Sequence, residues 1–245
     1  VGSIEFLEVV GLEGSTYKLK GPNGEEVKLN QSEVKDEDEL NIGEEYSFFI
    51  YPNRSGALFA TQNMPDVTTD KYDFVKVLKV DRDGAHVDVG LPREVLIPWE
   101  DLPKVKSVWP VQGDELFVTL RIDRDNNMFA RLATETIVEQ TYKSVFDNEL
   151  KNKIIEARPY RLLRIGSFLL SKEGYKIFVH ETERKEEPRL GENVKVRIIG
   201  QNDKGELNGS FLPLAHERLD DDGQNIFDLL VEYDGELPFS DKSSP

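Results

Sequence analysis

A pattern of residue types that occurs three times along the chain constrains its fold more than any other feature. The stretches 43–62, 113–132 and 191–210 each carry a glycine followed by an acid, an alternating apolar run, a polar turn and a small residue near the end. In the third copy, the run 194–198 alternates between apolar and basic side chains. Because alternation with a period of two places apolar residues on one side only, each copy indicates strands that cover a single core.

The repeat extends upstream of these stretches. Residues 84–101 align with residues 166–183 at a constant offset of 82, and residues 14–19 and 26–33 fit the same frame with two extra residues between them. Each unit therefore has five short strands and no long helix within roughly 70 residues, which is typical of a small Greek-key barrel of the OB type. An open sandwich is the structural alternative for short strands of this kind.

We therefore expect an all-β fold of three tandem five-stranded OB-fold barrels with short helical connectors and an amphipathic C-terminal helix. The expected boundaries are 1–66 for the first barrel, 67–133 for the second, 134–148 for a connector, 149–212 for the third barrel and 213–245 for an acidic helical tail.

The tail predicts one amphipathic helix. Ile226, Leu229, Leu230 and Tyr233 follow the i, i+3, i+4 and i+7 spacing of a single apolar stripe. We expect this stripe to pack on the third barrel or on a further domain, and the alternative is that it binds a protein partner. The chain opens on valine rather than methionine, and its last two residues, Ser-Pro, are typical of an N-cap and a first helical position, so we expect a further domain to begin there.

The composition limits the environments in which the chain can work. It contains no cysteine, and no stretch joins a basic start to an apolar signal segment, so nothing indicates secretion or a disulfide framework. No apolar run approaches the roughly 20 residues of a membrane-spanning helix, so we expect no membrane partner. The cytoplasm is the expected location.

The negative charge of the chain is concentrated at its two ends. A net charge of −16 argues against a polyanion partner. However, residues 1–70 carry −9 and residues 211–245 carry −7, whereas residues 134–210, with 14 basic and 13 acidic side chains, carry +1. Residues 158–180 hold one acid and five basic residues, which are Arg158, Arg161, Arg164, Lys172 and Lys176. A phosphate backbone is therefore favoured at that window.

The chain lacks the motifs of the common enzyme classes. It has three histidines, His86, His180 and His216, and it has no phosphate-binding loop, no serine nucleophile elbow and no zinc-protease motif. With no cysteine and so few histidines, a zinc site is not expected. We therefore expect no catalytic activity, no metal and no cofactor.

The third unit carries a candidate surface for single-stranded nucleic acid. In the strand 176–180, Lys176, Phe178 and His180 share one face, and the residues between them are expected to fill the barrel. Together with Phe168 on the adjacent strand, they would form a platform on which unpaired bases stack while cations meet phosphate. The alternative is that both phenylalanines belong to the core and that His180 is a turn residue, and alternation alone does not choose.

The other two units are poorer at the same positions. Unit two has His86, Leu96 and Pro98 where unit three has its two phenylalanines and its histidine, and unit one has no aromatic residue there. They are either auxiliary contacts or spacers that set the geometry. The auxiliary candidates are His86, Arg82, Arg121 and Arg131.

Residues 166–210 resemble the RNA-binding repeat of the ribosomal S1 type. The repeat runs G-A-F-V, G-[FL]-[VL]-H-x-S-E, G-x-x-V-x-V-x-[VI] and D-x-x-G-R-I-x-L-S, and the chain has "GSFLL", "GYKIFVHETE" and "LGENVKVRIIGQNDKGELNGS". Residues 84–102 form a recognisable second copy, and residues 1–62 form a diverged first one. Three such repeats with an acidic tail are similar to the conserved virulence factor B family of Gram-positive bacteria, in which a winged-helix domain follows the repeats. That resemblance implies an RNA-binding regulator of gene expression.

The resemblance also implies particular RNA contacts. The S1-type surface uses the Phe of G-A-F, the aromatic residue and the His of the next strand, and an Asp and an Arg on the last hairpin. Matched singly, these positions are Phe168, Phe178, His180 and Asp203, whereas the position of the Arg holds Glu206. We therefore expect binding to need several units, or the further domain, acting together at a raised effective concentration.

The interpretation that we adopt is a non-catalytic protein that binds single-stranded RNA chiefly through its third barrel, with single-stranded DNA as a weaker ligand. The resemblance adds a post-transcriptional role in gene expression, virulence genes included. An alternative from another class is a protein-interaction scaffold, in which the charge of −16 repels nucleic acid. The candidate RNA contacts of the third unit are Phe168, Phe178, His180, Lys176, Arg164, Arg197, Lys172 and Asp203.

Overall fold

The structure, a computed structural model, describes residues 1–35, 39–53 and 55–213, and within them it contains fifteen strands and one α-helix. The first unit has β1 Ile4–Glu13, β2 Thr16–Lys20, β3 Glu26–Asn30, β4 Glu45–Pro52 and β5 Leu58–Thr61. The second has β6 Asp73–Asp81, β7 Gly84–Asp88, β8 Val95–Pro98, β9 Glu115–Ile122 and β10 Met128–Leu132. The third has β11 Ile154–Leu163, β12 Gly166–Ser171, β13 Lys176–His180, β14 Val194–Gln201 and β15 Leu207–Ser210.

Strand order is the same in all three units. The first and third units are closed barrels in the orders β1-β2-β3-β5-β4 and β11-β12-β13-β15-β14. Each is closed by one parallel pairing, β3 with β5 and β13 with β15, while the other pairings are antiparallel. The second unit has the corresponding order, β10-β9-β6-β7-β8, but it is a five-stranded sheet and not the closed barrel that was expected, because its end strands β10 and β8 are not paired with each other. This architecture confirms the predicted all-β fold of tandem OB-type units.

One short helix, α1 Glu135–Thr141, lies within the stretch 134–148 that was predicted as a connector. Its buried residue Val138 packs with Ala133 and Leu170, so the helix lies against the outside of the third barrel. The amphipathic helix predicted around Ile226 to Tyr233 lies outside the described residues. No helix in the described part of the chain is long and apolar enough to cross a bilayer.

Strand β4 serves two cores at once, because its neighbouring side chains point to opposite faces. Phe48 packs in the first barrel, whereas Phe49 belongs to the large cluster that also contains Val75, Val87 and Leu120 of the second unit. Both phenylalanines are fully buried. The first and second units therefore share an apolar interface.

Hydrogen bonds fasten the same junction. The carbonyl of Thr68, in the segment between the two units, accepts from the Thr119 hydroxyl at 2.8 Å and from the Leu120 amide at 3.0 Å. Arg121 Nη1 donates to the carbonyl of Thr69 at 2.9 Å. The linking segment is thus fixed to β9 of the second unit.

The junction between the second and third units is an ion-paired one. Glu115 Oε2 lies 2.6 Å from Arg158 Nη2, and Glu115 Oε1 lies 2.8 Å from Lys172 Nζ. The Glu115 amide also donates to the carbonyl of Gly191 at 2.8 Å. Gly191 has a φ of +78°, and a Cβ there would lie 2.6 Å from the Leu116 side chain, so this close approach of the second and third units requires glycine.

Candidate nucleic-acid interface

The outer face of strands β12 and β13 carries a pair of phenylalanines. Phe168 is directly opposite Phe178 in the ladder, and their ring centroids are 4.8 Å apart with planes inclined at 38°. Both rings are partly exposed, whereas Ile177 and Val179 are fully buried inside the barrel. The two phenylalanines therefore belong to the outer surface, as the platform interpretation requires, and not to the core.

Two further rings extend this pair into a row. The centroid of Tyr160 lies 6.4 Å from that of Phe168, and the imidazole of His180 lies 6.2 Å from Phe178, edge to face at 77°. Tyr160 is at a β-bulge between Pro159 and Arg161, where β11 shifts register against β12. The four rings, which we call the aromatic row, cross three neighbouring strands.

Hydrogen bonds orient His180 at the end of the row. The backbone N–H of Thr182 donates to His180 Nδ1 at 3.3 Å, and the Thr182 hydroxyl lies 2.9 Å from the same nitrogen. Because Nδ1 accepts a hydrogen bond, the neutral imidazole carries its proton on Nε2. His180 is exposed, so this Nε2–H is a donor for a ligand beside the row.

A shallow cleft of about 370 Å³ lies beside this end of the row, lined by Phe178, His180, Thr182 and Asn208 among others. Gly166, on the neighbouring strand β12, lies against the Phe178 ring. A Cβ at Gly166 would lie 2.6 Å from Cε2 of Phe178 and 2.4 Å from the carbonyl oxygen of Val179. A side chain at position 166 would therefore displace the Phe178 ring or the backbone of β13.

The other end of the same face is covered by α1. Lys176 precedes Phe178 by two residues and points outwards, yet its side chain is only 3% exposed. Its ammonium lies 2.7 Å from Glu135 and 2.7 Å from Glu206, and it is also paired with Glu139. The predicted exposure of Lys176 is wrong, because the connector helix brings two glutamates over it.

The contacts within this cluster of one lysine and three glutamates favour the charged forms of Lys176, Glu135 and Glu206. Burial alone would lower the pKa of Lys176, but its hydrogen bonds to Glu135, Glu139 and Glu206 outweigh burial and raise that pKa. Burial would also raise the pKa of Glu135, but hydrogen bonds from Lys176 and Tyr160 hold it below the usual value. Lys176 Nζ also lies 5.4 Å from the centre of the Phe168 ring, so the cluster contacts the row through a cation–π interaction.

The remaining predicted contacts of the third unit have different surroundings. Arg164 is exposed in the turn between β11 and β12, and Asp203 is exposed in the turn between β14 and β15. Arg197 Nη2 donates to the carbonyl of Leu212 at 3.2 Å and is partly buried. Lys172 is half exposed but pairs with Glu115 at the junction, so its charge is already opposed.

Sequence reasoning did not assign Tyr160 to the row, and it named Arg161 only as part of a basic window. The Arg161 guanidinium lies 5.7 Å from the centre of the Phe168 ring and pairs with Glu135 at 3.3 Å. Tyr160 donates a hydrogen bond to Glu135 at 2.9 Å. The bulge in β11 places both residues at the row, and alternation with a period of two conceals such a bulge.

The auxiliary residues of the second unit do not form a comparable row. His86 lies between two carboxylates, with Nε2 2.9 Å from Asp81 and Nδ1 3.1 Å from Glu94. Arg121 donates to the carbonyl of Thr69 at the first junction. Thus His86 and Arg121 both have protein partners.

The two other arginines of this unit are more open. Arg82 has a side chain that is 93% exposed, 3.6 Å from Asp83, and Arg131 lies 4.0 Å from Asp101 with 59% exposure. Among the described residues, no group of three or more histidines and acids is arranged to hold a metal ion.

Comparisons with known proteins cover each of the three units. Residues 1–63 match the model of the S1 domain, residues 72–131 match "CvfB first S1-like domain", and residues 139–213 match "Virulence regulatory factor CvfB, second domain".

Curated relatives match the chain from end to end. A protein of Staphylococcus saprophyticus named conserved virulence factor B is 91% identical over 245 residues, which are 100% of this chain and 82% of that protein. Its namesake in Staphylococcus haemolyticus is 83% identical over the same shares of the two chains.

A solved structure also resembles the whole chain. It is described as a multidomain protein with nucleic acid binding domains from Streptococcus pneumoniae TIGR4. It matches with a TM-score of 0.78 and 28% sequence identity, over 100% of this chain and 85% of that one.

Proposed function

Because the chain belongs to the conserved virulence factor B family, with its S1-like domains, we propose that it is a non-catalytic protein that binds single-stranded RNA and regulates gene expression after transcription, virulence genes included. The observation that carries this proposal is the partly exposed aromatic row Tyr160, Phe168, Phe178 and His180. The solved relative described as having nucleic acid binding domains supports it.

Stacking on the row is the principal source of affinity in this proposal. Every base has a π-face, so aromatic rings accept successive unpaired bases with little regard to sequence. The Nε2–H of His180 and the side chain of Asn208 border the cleft beside Phe178 and provide polar contacts at a base edge. Preference among sequences should therefore be slight.

Charge contributes less than stacking. Arg161 and Arg164 are the cations beside or near the row. However, Arg161 forms an ion pair with Glu135, and the three glutamates that surround Lys176 bring negative charge close to the row. A small number of phosphate contacts implies a shallow dependence of affinity on salt. The acidic remainder of the chain also disfavours extended contact with a polyanion.

Fluorescence anisotropy of a labelled, unstructured RNA oligonucleotide tests this proposal. The chain, a Phe178→Ala, His180→Ala double variant and a Phe146→Ala control are titrated at low and physiological salt. Phe146 is the control because its side chain is 72% exposed in the connector and outside the row. Each stacked base is worth about 1–3 kcal/mol, so the double variant should lose at least about tenfold in affinity while the control keeps the parent value.

Two results would contradict the proposal. If the chain binds no RNA at low salt but captures proteins, the tandem barrels are a protein-interaction scaffold. If the RNA is cleaved and the cleaving activity follows the protein through purification, the protein is not a passive binder. Denaturing gels of the RNA recovered from each titration detect that cleavage.

A further inference from the structure

Both tryptophans of the chain line one cleft on the second unit, away from the aromatic row. The chain has two tryptophans, Trp99 and Trp109, and they share a cleft of about 480 Å³. The side chain of Trp99 is 54% exposed. Tryptophan combines a large apolar surface with one polar group, which is why it is enriched at binding surfaces.

A glycine allows the close backbone contact that positions Trp99 at the cleft. Trp99 begins the 3-10 turn Trp99–Asp101, directly after β8, and its amide donates to the carbonyl of Asp83 at 3.0 Å. A Cβ at Gly84 would lie 2.0 Å from the Ile97 carbonyl oxygen and 2.9 Å from the Trp99 nitrogen. The β6–β7 turn, which carries Arg82, can lie against the end of β8 only because Gly84 has no side chain.

Trp109 forms the fixed wall of the same cleft. It follows the 3-10 turn Lys106–Val108, and its Nε1–H donates to the carbonyl of Pro103 at 2.6 Å. The ring packs against the large cluster of the second unit. Lys106 Nζ lies 5.4 Å from the centre of the ring, which orients a cation at the mouth of the cleft.

The charge at the cleft is opposite to that of the chain as a whole. Arg82, Lys104 and Lys106 line it, and the one acid in the lining is Glu100. Both lysines are exposed, and the Arg82 side chain is 93% exposed. The cleft therefore has three cations around two indoles, in a chain whose net charge is −16. A ligand that carries negative charge and a flat ring complements it.

We propose that this cleft, lined by Trp99, Trp109, Arg82, Lys104 and Lys106, is a second binding site for single-stranded RNA. It would hold a base against Trp99 and place the adjoining phosphates beside the cations. The inference rests on the function proposed above and extends it to the second unit. A proline-rich peptide also fits a groove lined by aromatic rings, but it offers no charge to three cations. Charge complementarity therefore favours the nucleic acid.

Intrinsic fluorescence tests this site directly, because both tryptophans lie in it. An unlabelled, unstructured RNA oligonucleotide is titrated into the intact chain, and quenching of tryptophan emission is followed beside the anisotropy of the labelled RNA. We expect saturable quenching that persists in the Phe178→Ala, His180→Ala variant, which leaves the cleft untouched. In Trp99→Ala, quenching of Trp109 should require at least about fivefold more RNA, the loss of one stacked base.

A lysine pair supplies a matched control for the charges. Lys104→Ser, Lys106→Ser should weaken quenching at least about fivefold, whereas Lys151→Ser, Lys153→Ser, an exposed pair with the same spacing before β11, should leave it unchanged. Circular dichroism and a denaturation midpoint for each variant show that the second unit remains folded.

The outcomes separate this inference from the proposed function. If RNA binds by anisotropy without changing tryptophan emission, the second site is overturned and the proposed function stands. If neither signal changes, both are overturned. If a proline-rich peptide quenches the emission and RNA does not, the cleft is a peptide site and the inference is wrong.

Discussion

Lys176 Nζ lies 2.7 Å from Glu206 Oε1, and this ion pair joins β13 to the start of the last strand of the third barrel. In the S1-type pattern the position of Glu206 is the one that carries an RNA-binding arginine. Here the carboxylate, together with Glu135 and Glu139, neutralises a buried ammonium. The departure from the pattern therefore has a local cause, which is that the connector helix and the barrel share one buried lysine.

Removing that lysine should destabilise the protein strongly. Lys176→Met leaves three carboxylates, two of them on α1, close together with no ammonium between them. We expect the free energy of unfolding to fall by about 3 kcal/mol, because breaking a buried ion pair from one side leaves uncompensated charge. Urea denaturation at neutral pH measures the change. Lys204→Met removes an exposed lysine from the nearby β14–β15 turn and should change stability by less than about 0.5 kcal/mol.

The same cluster predicts how stability depends on pH. The pKa of Glu206 and that of Glu135 are lowered in the fold, since hydrogen bonds from Lys176 outweigh the effect of burial. A lowered carboxyl pKa stabilises the fold above the unfolded value of about 4.3, and that stability is lost as pH falls through the folded value. The parent should therefore lose stability on acidification below about pH 4.5.

Denaturation curves at a series of pH values from 7 to 3 test this dependence. The difference in stability between the parent and Lys176→Met should shrink as the pH falls, because protonated glutamates no longer repel one another. A difference that stays constant through this range would show that Lys176 acts by packing alone.

Gly166 should prove necessary for the aromatic row. In Gly166→Ala the new methyl group would meet Phe178 and the Val179 carbonyl at 2.4–2.8 Å. We expect a loss of about 1–3 kcal/mol in stability and a displaced Phe178 ring. RNA affinity, measured by anisotropy on the folded variant, should then fall towards that of Phe178→Ala. Gly11→Ala is the control, because a Cβ there has no atom within 4 Å.

The charge of Arg164 should appear in the salt dependence of RNA binding. For a single strand, each phosphate contact contributes about −0.7 to the slope of log affinity against log salt. Arg164→Met should reduce that slope by about 0.7, whereas Arg124→Met, an exposed arginine in the β9–β10 turn, should leave it unchanged. Titrations at four salt concentrations give the slopes, and equal slopes would exclude Arg164 from the interface.

The junction between the second and third units should depend on Arg158. Its side chain is 7% exposed, pairs with Glu115, and lies 5.7 Å from the centre of the Phe74 ring. Arg158→Met should lower the unfolding free energy by about 3 kcal/mol. If the junction couples the barrels, the variant should also unfold in two separate transitions where the parent unfolds in one, as detected by tryptophan emission and far-ultraviolet circular dichroism. One coincident transition in the variant would show that the units remain coupled without Arg158.

Much of the fold could be predicted because the repeat supplied the same information three times. The alternation in 176–180 correctly predicted that Ile177 and Val179 point into the barrel and that Phe178 points outwards. That placement is local, since the side-chain period of a strand needs no knowledge of its neighbours.

Other parts of the site depend on contacts that are distant in sequence. Burial of Lys176 requires Glu135 and Glu139 from the connector and Glu206 from the last hairpin, and no local pattern shows that these converge. Likewise, the pairing of Trp99 with Trp109 depends on two 3-10 turns in the loop after β8.

The two junctions between the units set the position of each unit relative to the next. If flexible linkers joined the units, each unit could bind its own segment of a ligand independently of the others. Here Thr68 is hydrogen-bonded to β9 and Glu115 is bonded to the third barrel, so specific contacts hold both junctions. Any strand that touches two units must span a set distance between them. Under the function proposed above, we expect the length of the unpaired RNA segment to affect affinity more than the identity of its bases.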